Sequence, residues 1–296
     1  MKILLLGKNG QVGWELQRSL SVLGEVVALD RHSTPCGDLS QPERLAQTVR
    51  ALRPDVIVNA AAHTAVDKAE SEVDLARTLN ACAPAALAQV AVETGAWLVH
   101  YSTDYVFDGS GNTPWQEGDA TGPLGVYGQT KLEGEQAIVA SGCKHLIFRT
   151  SWVYAARGGN FTNTMLRLAQ ERERLTVIND QHGAPTGADL IADVTAHAIR
   201  SAQYKPELAG LYHLVADGET TWHGYASHAI AHARELCPDL GWKVNDIAPV
   251  ATSAFPTPAK RPQNSRLHTQ KLQRAFGLNL PHWEYGVNRL LAEMLL

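Results

Sequence analysis

Lys2-Ile3-Leu4-Leu5-Leu6-Gly7-Lys8-Asn9-Gly10-Gln11-Val12-Gly13 decides the fold of this chain. The apolar run 3–6 predicts a buried strand. Residues 11–23 carry apolar side chains at Val12, Leu16, Leu20 and Leu23, which is helical spacing. Between the two lies G-x-x-G-x-x-G. Glycine lets a backbone turn sharply and lets a diphosphate approach its amide groups. The helix that follows offers unpaired N–H donors and the positive end of its dipole. A glycine triplet alone is a weak signal. A strand before it and a helix after it make it a dinucleotide-binding turn rather than a plain connection.

Working outward, strands at 26–29, 56–58, 97–101 and 145–148 alternate with helical patterns at 43–52 and at the alanine-rich stretch 75–92. Such alternation implies parallel pairing through right-handed crossovers. The expected fold is a Rossmann-like, doubly wound α/β sheet. Beyond Thr150 the alternation weakens and proline clusters appear. Residues 1–150 are therefore read as the dinucleotide-binding domain. Residues 151–296 are read as a smaller, mostly helical substrate lobe, some segments of which return to the first domain. Residues 101–127 are rich in Gly, Pro, Asp and Thr, and a loop of that length in a compact domain is usually functional.

The chain has 296 residues, 26 Lys+Arg and 30 Asp+Glu, for a formal net charge of −4. That balance lacks the basic footprint of a nucleic-acid binder. No run of 18 apolar residues occurs, so no membrane-spanning helix is expected. The apolar stretch before Gly7 is too short for a signal-peptide core, and a soluble cytoplasmic protein is expected. The four cysteines are scattered without a C-x-x-C pair, which argues against a zinc site or a disulfide framework. His228 and His232 share helical spacing but sit in no metal-binding motif, and read as partly exposed surface.

Asp30 ends the second strand, where a carboxylate accepts hydrogen bonds from an adenosine ribose. It disfavours a 2′-phosphate, while the adjacent Arg31 and His32 oppose that effect; either NADH or NADPH fits. Asp38 reads equally as an adenine contact or as a turn residue before the next helix. Tyr127-Gly128-Gln129-Thr130-Lys131 is Y-x-x-x-K, two residues on one helical face. An ammonium near a phenol lowers its pKa from about 10, which makes a usable general acid at neutral pH. Thr103, at the end of the fourth strand, is chosen over Ser102 to face the same carbonyl oxygen. Asp104 reads as a proton-tuning or substrate-hydroxyl contact, or else as a buried brace of the loop.

Gly7–Gly13, Asn59-Ala60-Ala61-Ala62-His63-Thr64-Ala65-Val66-Asp67, Ser102-Thr103-Asp104-Tyr105-Val106-Phe107 and Tyr127–Lys131 occur in a fixed order. With Arg149-Thr150-Ser151-Trp152-Val153-Tyr154, Asp180-Gln181-His182-Gly183-Ala184-Pro185-Thr186 and Arg261-Pro262-Gln263-Asn264-Ser265-Arg266-Leu267, they run nearly the whole chain. In these motifs the chain resembles the extended short-chain dehydrogenase/reductases, and within them the dTDP-4-dehydrorhamnose reductases. The resemblance implies NAD(P)H-dependent reduction of the C4 ketone of dTDP-4-dehydro-6-deoxy-L-mannose. It implies Tyr127 as proton donor, Lys131 as the group that lowers its pKa and binds the cofactor ribose, and Thr103 and Asp104 beside them. Gly7, Gly10, Gln11, Val12, Gly13, Asp30, Asp38, Leu39, Ala62, His63 and Thr64 would line the dinucleotide. Trp152 would contact the sugar, unless it is a core aromatic. Asn160 and Arg261 would reach the diphosphate and thymidine, Arg through its planar donor fork. Some members of the family the chain resembles are dimers with Mg²⁺ held between subunits by acidic residues, and the positions here that match are Glu15, Asp189 and Glu293; three unrelated surface acids explain them equally well. Two other readings share the motifs. One is an epimerase that keeps NAD bound. The other is a non-catalytic subunit resembling the methionine adenosyltransferase beta subunit, against which the retained Thr103, Tyr127 and Lys131 argue.

Overall fold

The computed structural model describes residues 1–296. Five strands form in the first half: β1 (Lys2–Leu6), β2 (Glu25–Leu29), β3 (Val56–Asn59), β4 (Trp97–Thr103) and β5 (His145–Thr150). A sixth strand, Gly210–His213, joins them, and the sheet order is β2-β1-β3-β4-β5 followed by Gly210–His213. Every pairing is parallel. Ile3, Leu5, Val56, Val58, Val99 and Phe148 face one core, while Leu4, Leu6, Ile57, Leu98 and Ile147 face the other. Burial on both faces is why these strands read as unbroken apolar runs rather than alternating ones.

Helices cover both faces. α1 (Gln11–Ser21) packs with the helix Ala188–Tyr204 on one side. α2 (Pro42–Leu52), the helix Ala83–Thr94 and the helix Val126–Ser141 lie on the other. The helix Ala188–Tyr204, the strand Gly210–His213 and the helix Gln270–Phe276 all contribute to the sheet's first core, so the chain re-enters that domain twice after residue 150. The remaining lobe packs the helices Phe161–Glu171, Trp222–Leu236 and Trp283–Leu295 around Tyr154, Tyr225 and Trp283. No helix is long and apolar enough to cross a membrane.

The stretch 75–92 is helical throughout, as expected, with one irregularity. Val73–Arg77 is α-helical, Thr78–Cys82 widens into a π-helical turn, and a new helix starts at Ala83 with Pro84 in its first turn. Proline lacks the N–H an uninterrupted helix would need there. The widened turn aims Asn80 inward, and its side chain is fully buried. The four cysteines are free.

Candidate active site

From β1 the chain runs to β2 on one side, then crosses to β3 on the other. The carboxyl ends of β1 and β3 therefore flank a topological switch point, where open α/β sheets bind ligands. The glycine loop fills this position. Gly7 has φ +85° and lies so close to the Ala60–Ala61 backbone that a Cβ would stand 2.8 Å from the Ala61 nitrogen. A Cβ at Gly13 would collide with the Gly7 carbonyl oxygen. Both glycines are demanded by the fold. Gly10 is not: its φ is −73° and a Cβ there would meet the Gly7 oxygen at an ordinary 3.4 Å. Its missing side chain instead leaves the approach to the α1 N-terminus open. That helix begins with no side-chain cap and no acidic residue in its first turn. Free N–H groups, the positive dipole end and an open approach fit a dinucleotide diphosphate. Gln11 and Val12 form the first turn, Val12 packing into the sheet core.

Asp30 stands at the end of β2 with both carboxylate oxygens engaged. Oδ1 accepts from the His32 amide and the Ser33 hydroxyl, both at 2.9 Å; Oδ2 accepts from Asn9 Nδ2 at 2.7 Å, with Lys8 Nζ 3.7 Å away. The His32 amide is the main reason its pKa is held below the ordinary value. Asp38 accepts from the Ser40 amide and Gln41 Nε2, both at 2.9 Å, so its visible work is to shape the turn into α2. Leu39 beside it is buried in the sheet's second core.

After β3, Ala62 is half-buried, His63 buried and Thr64 exposed. Asn80 fixes this segment from both sides, accepting from His63 N at 2.8 Å and donating to His63 O at 3.1 Å. It also donates to Thr130 Oγ1 at 3.2 Å, which ties the cofactor-side loop to the helix carrying Tyr127 and Lys131. His63 Nε2 meets Glu72 at 2.8 Å.

At the end of β4, Thr103 Oγ1 donates to Asp104 Oδ1 at 3.1 Å, and its hydroxyl is close enough to the Tyr127 phenol to act on its pKa. Asp104 is buried, and desolvation pushes its pKa up to about 6 against the opposing influence of the Ser265 and Thr103 hydroxyls. Its Oδ2, like Ser102 Oγ and Ser151 Oγ, is buried with no protein partner. Ser265 belongs to a C-terminal segment that binds down the long loop after β4. Asn264 Nδ2 donates to Ser110 O and Thr113 O at 3.1 and 2.9 Å, and Trp115 stacks on Phe107 at 4.6 Å.

One expectation for the Y-x-x-x-K pair fails. Burial pushes the Tyr127 phenol above its usual value, the Thr103 hydroxyl opposes the rise, and Lys131 is not among the groups acting on it. Lys131 Nζ instead donates to Tyr101 O at 2.5 Å and meets His100 Nε2 at 3.1 Å. Desolvation brings its own pKa down to about 8, with Glu135 one turn along acting in the opposite direction. Phenol and amine share a helical face, as the spacing predicted, but the amine turns toward β4.

Trp152 holds φ +49°, a left-handed conformation that costs a bulky residue energy and marks functional positions. It is half-buried, stacked on Trp222 with centroids 3.8 Å apart, and Gly183 leaves room against its ring. Asn160 is not free for a nucleotide: its Oδ1 caps the helix Phe161–Glu171, and its Nδ2 donates to Ala155 O at 2.6 Å with Gln11 Oε1 at 3.4 Å. Arg261 bonds Asp67 at 2.8 Å and reaches Tyr105, remaining half-exposed beside the pocket. The three acids expected at a metal are not gathered within the chain, where no group of three potential ligands occurs. Glu15 and Asp193 flank Arg18 at 3.5 and 3.0 Å, Asp189 pairs with Arg289 at 3.0 Å, and Glu293 is exposed.

Sequence reasoning missed Asn80, His100, Ser265 and the buried pair Glu135–Arg149, whose bidentate bonds measure 2.9 and 2.6 Å. The pair's alignment across a helix and a strand has no local spacing to betray it. The Pro84 break was the one signal that pointed toward Asn80.

Residues 1–296 match the RmlD substrate binding domain family. A dTDP-4-dehydrorhamnose reductase of Salmonella typhimurium is 65% identical over 295 residues, 99% of this chain and 98% of that protein. A solved dTDP-4-dehydrorhamnose reductase from Clostridium acetobutylicum superposes with a TM-score of 0.89 at 35% identity, covering 100% of both chains. One from Bacillus anthracis, in complex with NADP, gives 0.87 at 34% identity over 99% of both.

Proposed function

Because the chain belongs to the RmlD substrate binding domain family, we infer that it reduces the C4 ketone of dTDP-4-dehydro-6-deoxy-L-mannose to give dTDP-L-rhamnose. It uses a nicotinamide cofactor. The observation that carries this reading is the Tyr127 phenol beside the Thr103 hydroxyl, at the carboxyl edge of the sheet that also holds the glycine loop. The bound cofactor would supply a hydride. The chain supplies the rest. Gly7, Gly10 and Gly13 with the α1 N-terminus hold the diphosphate. Tyr127, its pKa raised by burial, carries its proton throughout the working pH range and delivers it from the phenolic oxygen to the substrate's carbonyl oxygen. Thr103, its own proton engaged by Asp104, stands beside the phenol at the reacting carbonyl. Asp104 Oδ2, buried without a partner, faces the same chemistry as a sugar-hydroxyl contact. Trp152 offers an aromatic wall for the sugar, and half-exposed Arg261 a cationic one for the diphosphate.

Either NADH or NADPH is accepted on this reading. Asp30 disfavours a 2′-phosphate, while Lys8 at 3.7 Å and the neighbouring Arg31 and His32 oppose that effect. The assembly proposed is a homodimer across the face bearing Glu15, Asp189 and Glu293, with Mg²⁺ held only between copies. Sedimentation with and without a chelator tests it. The activity itself is tested by crossing dTDP- and UDP-linked 4-keto sugars with NADH and NADPH. Oxidation of cofactor with the dTDP substrate supports the reading, and no net oxidation by folded protein sinks it.

A further inference from the structure

His100 is a buried ring at the centre of β4 that the chemistry above does not use. Its Nδ1 faces Asn59 Nδ2 at 3.2 Å, and its Nε2 faces Lys131 Nζ at 3.1 Å. The donors can be counted along this chain. Asn59 Oδ1 accepts from the Ala61 amide at 3.2 Å, so the side of Asn59 turned to His100 is the donating one. His100 Nδ1 must then be the bare nitrogen, and the ring proton sits on Nε2. An ammonium has three donors and no lone pair, so it would meet that Nε2–H donor to donor. A neutral amine accepts from Nε2–H and still donates to Tyr101 O. The run Ala61–Asn59–His100–Lys131–Tyr101 is satisfied throughout only with the amine uncharged.

We propose that His100 is a positioning residue that parks Lys131 as a neutral amine turned away from Tyr127, and that Lys131 takes up a proton when it leaves this berth to serve the cofactor. This rests on the reading that Lys131 serves the cofactor. The groups facing Lys131 are few. His100 and the Tyr101 carbonyl come from β4; Glu135, whose charge Arg149 of β5 holds, and Tyr127 lie on its own helix. A pKa near 8 places the exchange within reach of ordinary buffers.

Two readouts test the proposal. Histidine-¹⁵N NMR of the cofactor-free protein, with the His100 signals identified by their loss in H100Q, should show a protonated Nε2 and a bare Nδ1 at pH 9. An Nδ1–H tautomer there overturns it. The second is the pH dependence of NADH binding, followed by fluorescence. If Nε2–H stabilises the amine, H100L removes that stabilisation, and the apparent pKa for loss of binding moves up by about one unit, a tenfold change in proton affinity. H100Q, whose amide can donate in place of Nε2–H, should stay near wild type. A downward shift, the result expected if His100 accepts from an ammonium, overturns the proposal, and so does no shift. Should H100L not fold, the tautomer measurement decides alone. K131M with unchanged NADH affinity and pH dependence would instead remove the cofactor role of Lys131, leaving the tautomer result standing.

Discussion

The two ends of the crevice along the sheet's carboxyl edge are built differently. At the β1–β2 end, the site is backbone: three glycines, a bare helix N-terminus, and partly exposed charges such as Asp30 and Lys8. At the β4–β5 end, the site is ionisable side chains under cover, Asp104, Lys131, His100, Glu135 and Arg149, with Tyr127 half-buried beside them. The first end binds by shape and by peptide dipoles, which need no titration. The second keeps protons on groups that would lose or gain them in water. Binding machinery can be robust to pH, while proton-transfer machinery must be held off balance by desolvation.

Breaking the buried end should give the largest effect. Arg149→Met leaves Glu135 buried without its partner and should cost about 3–5 kcal/mol of stability in urea denaturation. A loss under about 1 kcal/mol would mean that water reaches the pair. Tyr127→Phe should lower kcat at least about a hundredfold, by removing the proton donor, while NADH affinity stays within about twofold in a fluorescence titration. An equal fall in both would dissolve the division between the two ends.

Asp104 gives the pH signature. Its carboxyl sits near 6 in the folded protein and near 3.8 in a model peptide, so the unfolded chain loses its proton first as pH rises. Wild-type stability therefore falls between about pH 4 and pH 6 and is lower by up to about 3 kcal/mol above that window. Asp104→Asn cannot ionise. It should be more stable than wild type at pH 7.5 and equal to it near pH 3.5, by denaturation at the two pH values. Gly10→Ala, at the other end, should change stability by no more than about 1 kcal/mol, since its backbone is ordinary. It should still weaken NADH binding by about tenfold, because the added methyl stands where the diphosphate approaches. A stability loss as large as the binding loss would show Gly10 to be structural.

The contrast also explains what could be read from the sequence. The glycine end was legible because its physics is local: a strand, a turn and a helix adjacent in the chain, with φ +85° at Gly7 and close contact at Gly13 requiring the residues seen. The strands were legible because two-sided burial leaves unbroken apolar runs. The sixth strand, Gly210-Leu211-Tyr212-His213, was not, being short, glycine-led and 64 positions along the chain from the residues it pairs with, Leu146 to Arg149. At the catalytic end Tyr127, Thr103 and Asp104 stood out as residue types, but their partners did not. His100 reads as one more strand residue until Asn59 and Lys131 are placed beside it. The direction of the Lys131 amine depends on that neighbour, and spacing along one helix could not supply it.

The hold of Asn264 on the loop after β4 has a consequence for biosynthesis of the chain itself. Asp104 and Tyr127 leave the ribosome well before residue 265, and the glycine loop earlier still. A nascent chain halted near residue 260 has every strand of the sheet and both cofactor-side and proton-donating residues, yet the loop after β4 lacks Asn264 to bind it down. The loop over the proton-donating end is thus tied down by one of the last segments to be made.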